Sequence, residues 1–67
     1  MSIAKVSEMS ATSSTSFDDA IQQCLNRANK TVRGIRRAWV KEQHVSVVNG
    51  RITEYQVHLV LTFVLED

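Results

Sequence analysis

Only one cysteine, Cys24, stands in the 67 residues, so no disulfide can close within the chain. There is also no Cys-x-x-Cys or His-x-x-x-His pair, which removes the usual ligand spacings of a structural zinc. Long apolar runs are missing too. Residues 1–16 carry no apolar stretch of the signal-peptide kind, and Val57–Leu65 is interrupted by His58 and Thr62. Neither a signal peptide nor a membrane span is expected, and the cytoplasm is the expected compartment. The sequon Asn29-Lys30-Thr31 then reads as ordinary helix surface. A single domain over residues 1–67 buries too small a share of its surface to be more than marginally stable alone. With disulfide and metal staples excluded, association with copies of itself is the expected source of stability.

What is present follows two periods. Ile3 to Met9 alternates Ala4, Val6 and Glu8 against Lys5, Ser7 and Met9, a short first strand. The Ser- and Thr-rich residues 10–16 read as a linker that ends in a helix start, Ser16-Phe17-Asp18-Asp19. In that start Ser16 caps the amides and the aspartates favour the positive end of the dipole. Phe17, Ala20, Ile21, Cys24, Ala28, Thr31 and Val32 recur at steps of three and four, giving one apolar stripe. Lys30 and Arg33 suit the last turn and Gly34 stops the helix. From Ile35 the period becomes two, and Asn49-Gly50 between two β-rich runs predicts a two-residue type I′ hairpin.

That turn sets a register. Strict alternation opposes Val48 to Arg51, and it opposes Gln43 to Gln56, Lys41 to His58, Trp39 to Val60 and Arg37 to Thr62, these last four pairs on one face. The same face takes Val45, Val47, Ile52 and Val64, and His44 falls on the opposite face from His58. Ala38, Val40, Tyr55, Val57, Leu59, Leu61, Phe63 and Leu65 form the other face, the expected partner of the helix stripe. The fold class is therefore α+β: βαββ, one helix on a three-stranded antiparallel sheet of order 1-3-2. A helix of about 17 residues spans roughly 25 Å, and strands of about 14 residues span roughly 45 Å. The hairpin should overhang its helix, and its far face should need cover from other subunits.

The far face carries the candidate chemistry. Trp39 offers a flat ring among Arg37, Lys41, Gln43, Gln56 and His58, an arrangement suited to a planar aromatic ligand whose polar edge the amides read. It suits equally an interface in which Trp39 is an anchor and Gln43 pairs with Gln56. Catalysis is not expected, because Cys24 lies on the buried stripe and no nucleophile stands beside an orienting base. No metal site is expected within one subunit, although Glu42, Glu54, Glu66 and Asp67 are oxygen ligands that symmetry could gather. Arg27, Lys30, Arg33, Arg36, Arg37 and Lys41 cluster in a chain of net charge +1. They straddle a helix end and a strand, with no glycine-rich phosphate loop beside them, so nucleic acid is not the expected partner. The cluster better complements the helix C-terminus and draws in a phosphorylated small ligand.

The segments Lys5-Val6, Ser16-Phe17-Asp18-Asp19-Ala20-Ile21, Ala28-Asn29-Lys30-Thr31-Val32, Ile35-Arg36, Val40-Lys41-Glu42-Gln43, Asn49-Gly50-Arg51-Ile52, Glu54-Tyr55-Gln56-Val57 and Phe63 to Asp67 together resemble the dodecin family. The resemblance implies a non-enzymatic protein that stores or sequesters a flavin, FMN or riboflavin, bound as stacked pairs between subunits of a hollow dodecamer. It implies that Gln56 bonds the flavin ring. The family's stacking tryptophan falls at Arg37, two residues before Trp39, so Trp39 either stacks a ligand displaced by one residue pair or fills the vacated space; in the first case it is the stacking surface and Arg37 a substitute contact, with Gln43 beside them. A basic residue of many members aligns with His44, and an arginine often found after the strand-three phenylalanine is Val64 here. The alternative is a dodecin-like shell that binds no flavin and carries another small ligand or a metal ion.

Overall fold

A computed structural model describes residues 3–31 and 34–65. It orders them as β1 (Ile3–Ser13), α1 (Phe17–Thr31), β2 (Ile35–Val48) and β3 (Arg51–Leu65). The sheet order is β1-β3-β2, with both pairings antiparallel. This is the βαββ arrangement expected. Val32 and Arg33, assigned by sequence to the helix's last turn, and Glu66 and Asp67 lie outside the described residues.

β1 runs four residues further than the alternation indicated. Ser10, Ala11, Thr12 and Ser13 were expected in a linker but pair with His58, Val57, Gln56 and Tyr55. β3 is the central strand, and its backbone groups on that side need partners whatever the side chains are. The turn into the helix is then held by side chains. Ser13 Oγ accepts from the Thr15 amide at 2.9 Å and donates to Asp19 Oδ2 at 2.6 Å. Ser16 Oγ accepts from the Asp19 amide at 2.9 Å, as an N-cap should. Asp19 therefore ties the end of β1 to the first helical turn. At the other end Gly34 takes φ +81°, the left-handed conformation that ends a helix.

The helix buries Ala20, Cys24 and Ala28 against Val57, Leu59 and Leu61, with Met9, Ala11, Phe17, Ile21, Leu25 and Ile35 packed around them. Its buried residues are small while the sheet supplies the large ones, so α1 lies close over β1 and β3. Phe17 meets Tyr55 edge to face, with centroids 5.1 Å apart. Three expected members of the core are absent from it. Thr31 is exposed and its hydroxyl donates to the Ala28 carbonyl. Ala38 and Val40 are uncovered, Val40 being 38% exposed, because the helix sits over β1 and β3 and not over β2. The molecule measures 52 × 20 × 13 Å, and β1 stops opposite Tyr55. The hairpin from Ser46 to Glu54 projects beyond both β1 and the helix.

Asn49 and Gly50 form the predicted turn with φ of 52° and 77°, the paired positive values a type I′ hairpin requires. The register leaving it is not the strict one. Thr53 is an extra residue on β3, and its hydroxyl bonds the Ser46 carbonyl at 3.3 Å. Lys41 is an extra residue on β2, and Arg36 makes a third shift near the start of that strand. The Thr53 and Lys41 bulges lie on opposite strands and cancel. Trp39 still faces Val60 and Arg37 still faces Thr62, as expected, but between the bulges every pair has slipped by one. Gln56 faces His44 instead of Gln43, and His58 faces Glu42 instead of Lys41. Val45, Val47 and Ile52 are turned to the helix side of the sheet, beyond the reach of the helix itself.

Candidate binding face

The face of the sheet away from α1 is built in rows, because antiparallel partners share a side and successive rows lie about 7 Å apart. Val6, Thr62 and Arg37 form one row and Glu8, Val60 and Trp39 the next. Ser10, His58 and Glu42 follow, then Thr12, Gln56 and His44. Of the sequence-predicted site residues, Arg37, Trp39, His44 and Gln56 therefore stand on one face. Gln43 faces Val57 on the helix side, so the slip of register separates it from Gln56. His44 and His58, expected on opposite faces, share this one for the same reason. Among the described residues there is no group of three or more metal-ligating side chains.

Trp39 is the largest open surface of the face, 49% exposed, with Val6 and Val64 also exposed and Val60 buried beneath its row. Between Trp39 and Gln56 lies a network that sequence reasoning missed as a unit. Glu8 Oε1 accepts from Lys41 Nζ at 3.0 Å and from His58 Nε2 at 2.8 Å. His58 Nδ1 lies 2.9 Å from Ser10 Oγ. A carboxylate only accepts, so Nε2 carries a proton, and in the neutral ring the Ser10 hydroxyl donates to Nδ1. Lys41, the extra residue of the β2 bulge, thus reaches across β3 to β1. No turn sets the β1–β3 register, so nothing in the sequence placed Glu8 beside His58. By contrast, burial pushes the Cys24 thiol up from its ordinary value, and Cys24 is no nucleophile.

The hydrogen bond from His58, and then the bond and charge of Lys41, hold the Glu8 carboxyl below its ordinary value. A carboxylate lowered in the folded state contributes stability that is present above its unfolded pKa and lost as pH falls through its folded one. In wild type the thermal midpoint should therefore drop more steeply than in Glu8→Gln below about pH 4.5. Scanning calorimetry from neutral to acid pH reads this directly. Parallel acid limbs for the two proteins would remove Glu8 from the account.

No helix among the described residues is long and apolar enough to cross a membrane. The family model described as Dodecin matches residues 3–66. Among solved structures, an arginine-to-alanine variant of the T. thermophilus dodecin is 36% identical with a TM-score of 0.91, covering 100% of this chain and 98% of that one. The dodecin from Streptomyces coelicolor is 29% identical with a TM-score of 0.88, covering 98% and 94%. A calcium dodecin from Mycobacterium tuberculosis, a calcium-chelating immunodominant antigen with a novel calcium-binding site, is 34% identical with a TM-score of 0.80 and covers 96% and 91%. No curated protein matches in sequence.

Proposed function

The chain belongs to the dodecin family, and from that premise we propose that it is a non-enzymatic, cytoplasmic flavin-binding protein. In this reading it stores or sequesters FMN or riboflavin between the subunits of a hollow dodecamer. The observation that carries the reading is the open indole of Trp39 on the same face as Gln56 and His44.

The residues present fit a flavin, which brings a flat three-ring system with one polar edge. Trp39 covers a ring face, Gln56 supplies an amide that both donates and accepts, and Arg37 and His44 flank them. In the family the stacking ring stands at the position of Arg37, three rows from Gln56. Trp39 is only two rows away, so stacking on it moves the ligand toward the amide. The exposed Val6, Val64 and Trp39 on this face, and Val40, Val47 and Ile52 on the other, are what an assembly would cover.

Titration of riboflavin and of FMN with the purified protein tests the reading, with light scattering on the same sample. Quenching of flavin fluorescence at micromolar protein and a mass near twelve chains are expected. Absence of quenching discards the flavin, and a monomeric mass discards the assembly.

A second reading rests on Arg37 standing where the family stacks its ring, and on the likeness to a calcium dodecin. In it the shell holds no flavin and carries another small ligand or a cation. Since no three ligating side chains meet within the described residues, such a cation needs carboxylates such as Glu42 and Glu54 from several copies. Calcium titration by calorimetry, on protein that fails to quench flavin, separates the two readings.

A further inference from the structure

The row between Trp39 and Gln56 is polar, and its charges are arranged in a way that stability does not require. A ligand that stacks on Trp39 and reaches Gln56 spans about 14 Å along the strands and must cross this row. Glu8 reaches into it from the Trp39 row, bonding His58, and meets Lys41 there, one exposed cation against one exposed carboxylate, and exposed pairs of this kind stabilise a fold little. Both contacts to Glu8 fall on Oε1, which leaves Oε2 to accept from a further donor. Lys41 Nζ has spent one of its three N–H groups. His58 is committed to β1 through both ring nitrogens; it holds Glu8 in place and has no ring nitrogen left for a ligand.

A phosphate is the wrong occupant for this spot. Glu8 neutralises Lys41, and Glu42 stands across from His58 in the same row, so no net positive charge is left to hold an anion. An ammonium donor beside a free carboxylate oxygen instead complements a carbonyl beside an N–H. The flavin ring system carries such an edge, an imide N–H set between two carbonyls, and charge-assisted bonds to it are the strong kind.

We propose that Glu8 and Lys41 read the imide edge of the ligand whose ring face Trp39 covers, with His58 as the positioning residue for Glu8. This rests on the flavin reading given above. It assigns specificity to Glu8, which the sequence did not single out, together with Lys41, which it did, and it places the contact on the central rows of the sheet.

Riboflavin compared with 3-methylriboflavin, in which the imide N–H is blocked, tests the assignment by fluorescence quenching. Wild type should prefer riboflavin by about tenfold or more. Glu8→Leu and Lys41→Met should each lose most of that preference while keeping the wild-type mass by light scattering, and Lys41→Met leaves the strand pairing untouched. Equal affinity of wild type for the two ligands overturns the proposal. So does a preference that survives in both variants and disappears in Gln56→Ala; the flavin reading then stands with Gln56 as the sole reader. Wild type that quenches neither ligand overturns the flavin reading and this inference with it.

Discussion

Leu59→Ala is expected to leave the chain largely unfolded and unassembled at room temperature. Leu59 is 0% exposed and lies at the middle of β3, opposite Met9 on one side and Val40 on the other. Above it the helix presents Ala20, Cys24 and Ala28, none of which has a side chain long enough to move into the space. The cavity would stay open, and a Leu-to-Ala change in such a setting costs about 2–5 kcal/mol. A domain of this size has roughly that much stability in total, and its assembly multiplies the loss, because each protomer must be folded before it can contribute an interface. Leu59→Met is the control, expected to cost less than about 1.5 kcal/mol because the volume is kept. Urea unfolding followed by circular dichroism, with light scattering at each concentration, distinguishes the outcomes. An alanine variant of wild-type mass, with a urea midpoint within about 0.3 M of wild type, would show that the core is not where this fold draws its stability.

The contrast between helix and sheet in that core was readable in the sequence, because Ala20, Cys24 and Ala28 share one helical stripe and Val57, Leu59, Leu61 and Phe63 share one strand parity. So was the turn, since Asn-Gly has one strongly preferred hairpin geometry. The slip between the bulges was missed, yet it left a trace. Along β2 the apolar residues on the helix side are Ile35, then Ala38 and Val40, then Val45 and Val47; along β3 they begin with Ile52 and continue from Tyr55 through Val57 and Leu59. β2 changes parity twice, at Arg36 and Lys41, and β3 once, at Thr53, and a change of parity within one strand is the mark of an inserted residue. Strict alternation ignores that mark and assigns Gln43 to the wrong face. Because the insertions at Lys41 and Thr53 cancel, Trp39 and Arg37 were still placed correctly. The Glu8 network was out of reach for a different reason. It depends on the β1–β3 register, which passes through a helix and is fixed by packing over the whole sheet.

Trp39→Ala is expected to weaken flavin quenching by about tenfold to hundredfold, the range that stacking of one flat base on one aromatic side chain supplies, while Trp39→Phe keeps most of it. Arg37 occupies the place where the family stacks its ring, and a guanidinium can lie against a ring but presents far less surface than an indole. Trp39 is on the same face, one row nearer Gln56 and in the same row as Glu8. Arg37→Trp in the Trp39→Ala background moves the indole back by one row, away from Gln56. It should restore part of the quenching and keep the dependence on Gln56, because the family pairs a stacking ring at that position with the glutamine that stands here as Gln56; Gln56→Ala should then weaken quenching there about as much as in wild type. Unchanged quenching in Trp39→Ala would give the indole the other role the sequence allowed, that of an anchor between copies. Light scattering on the same variant tells the roles apart. Lost affinity at full mass assigns Trp39 to the ligand, whereas full affinity per folded chain with a reduced mass assigns it to the interface.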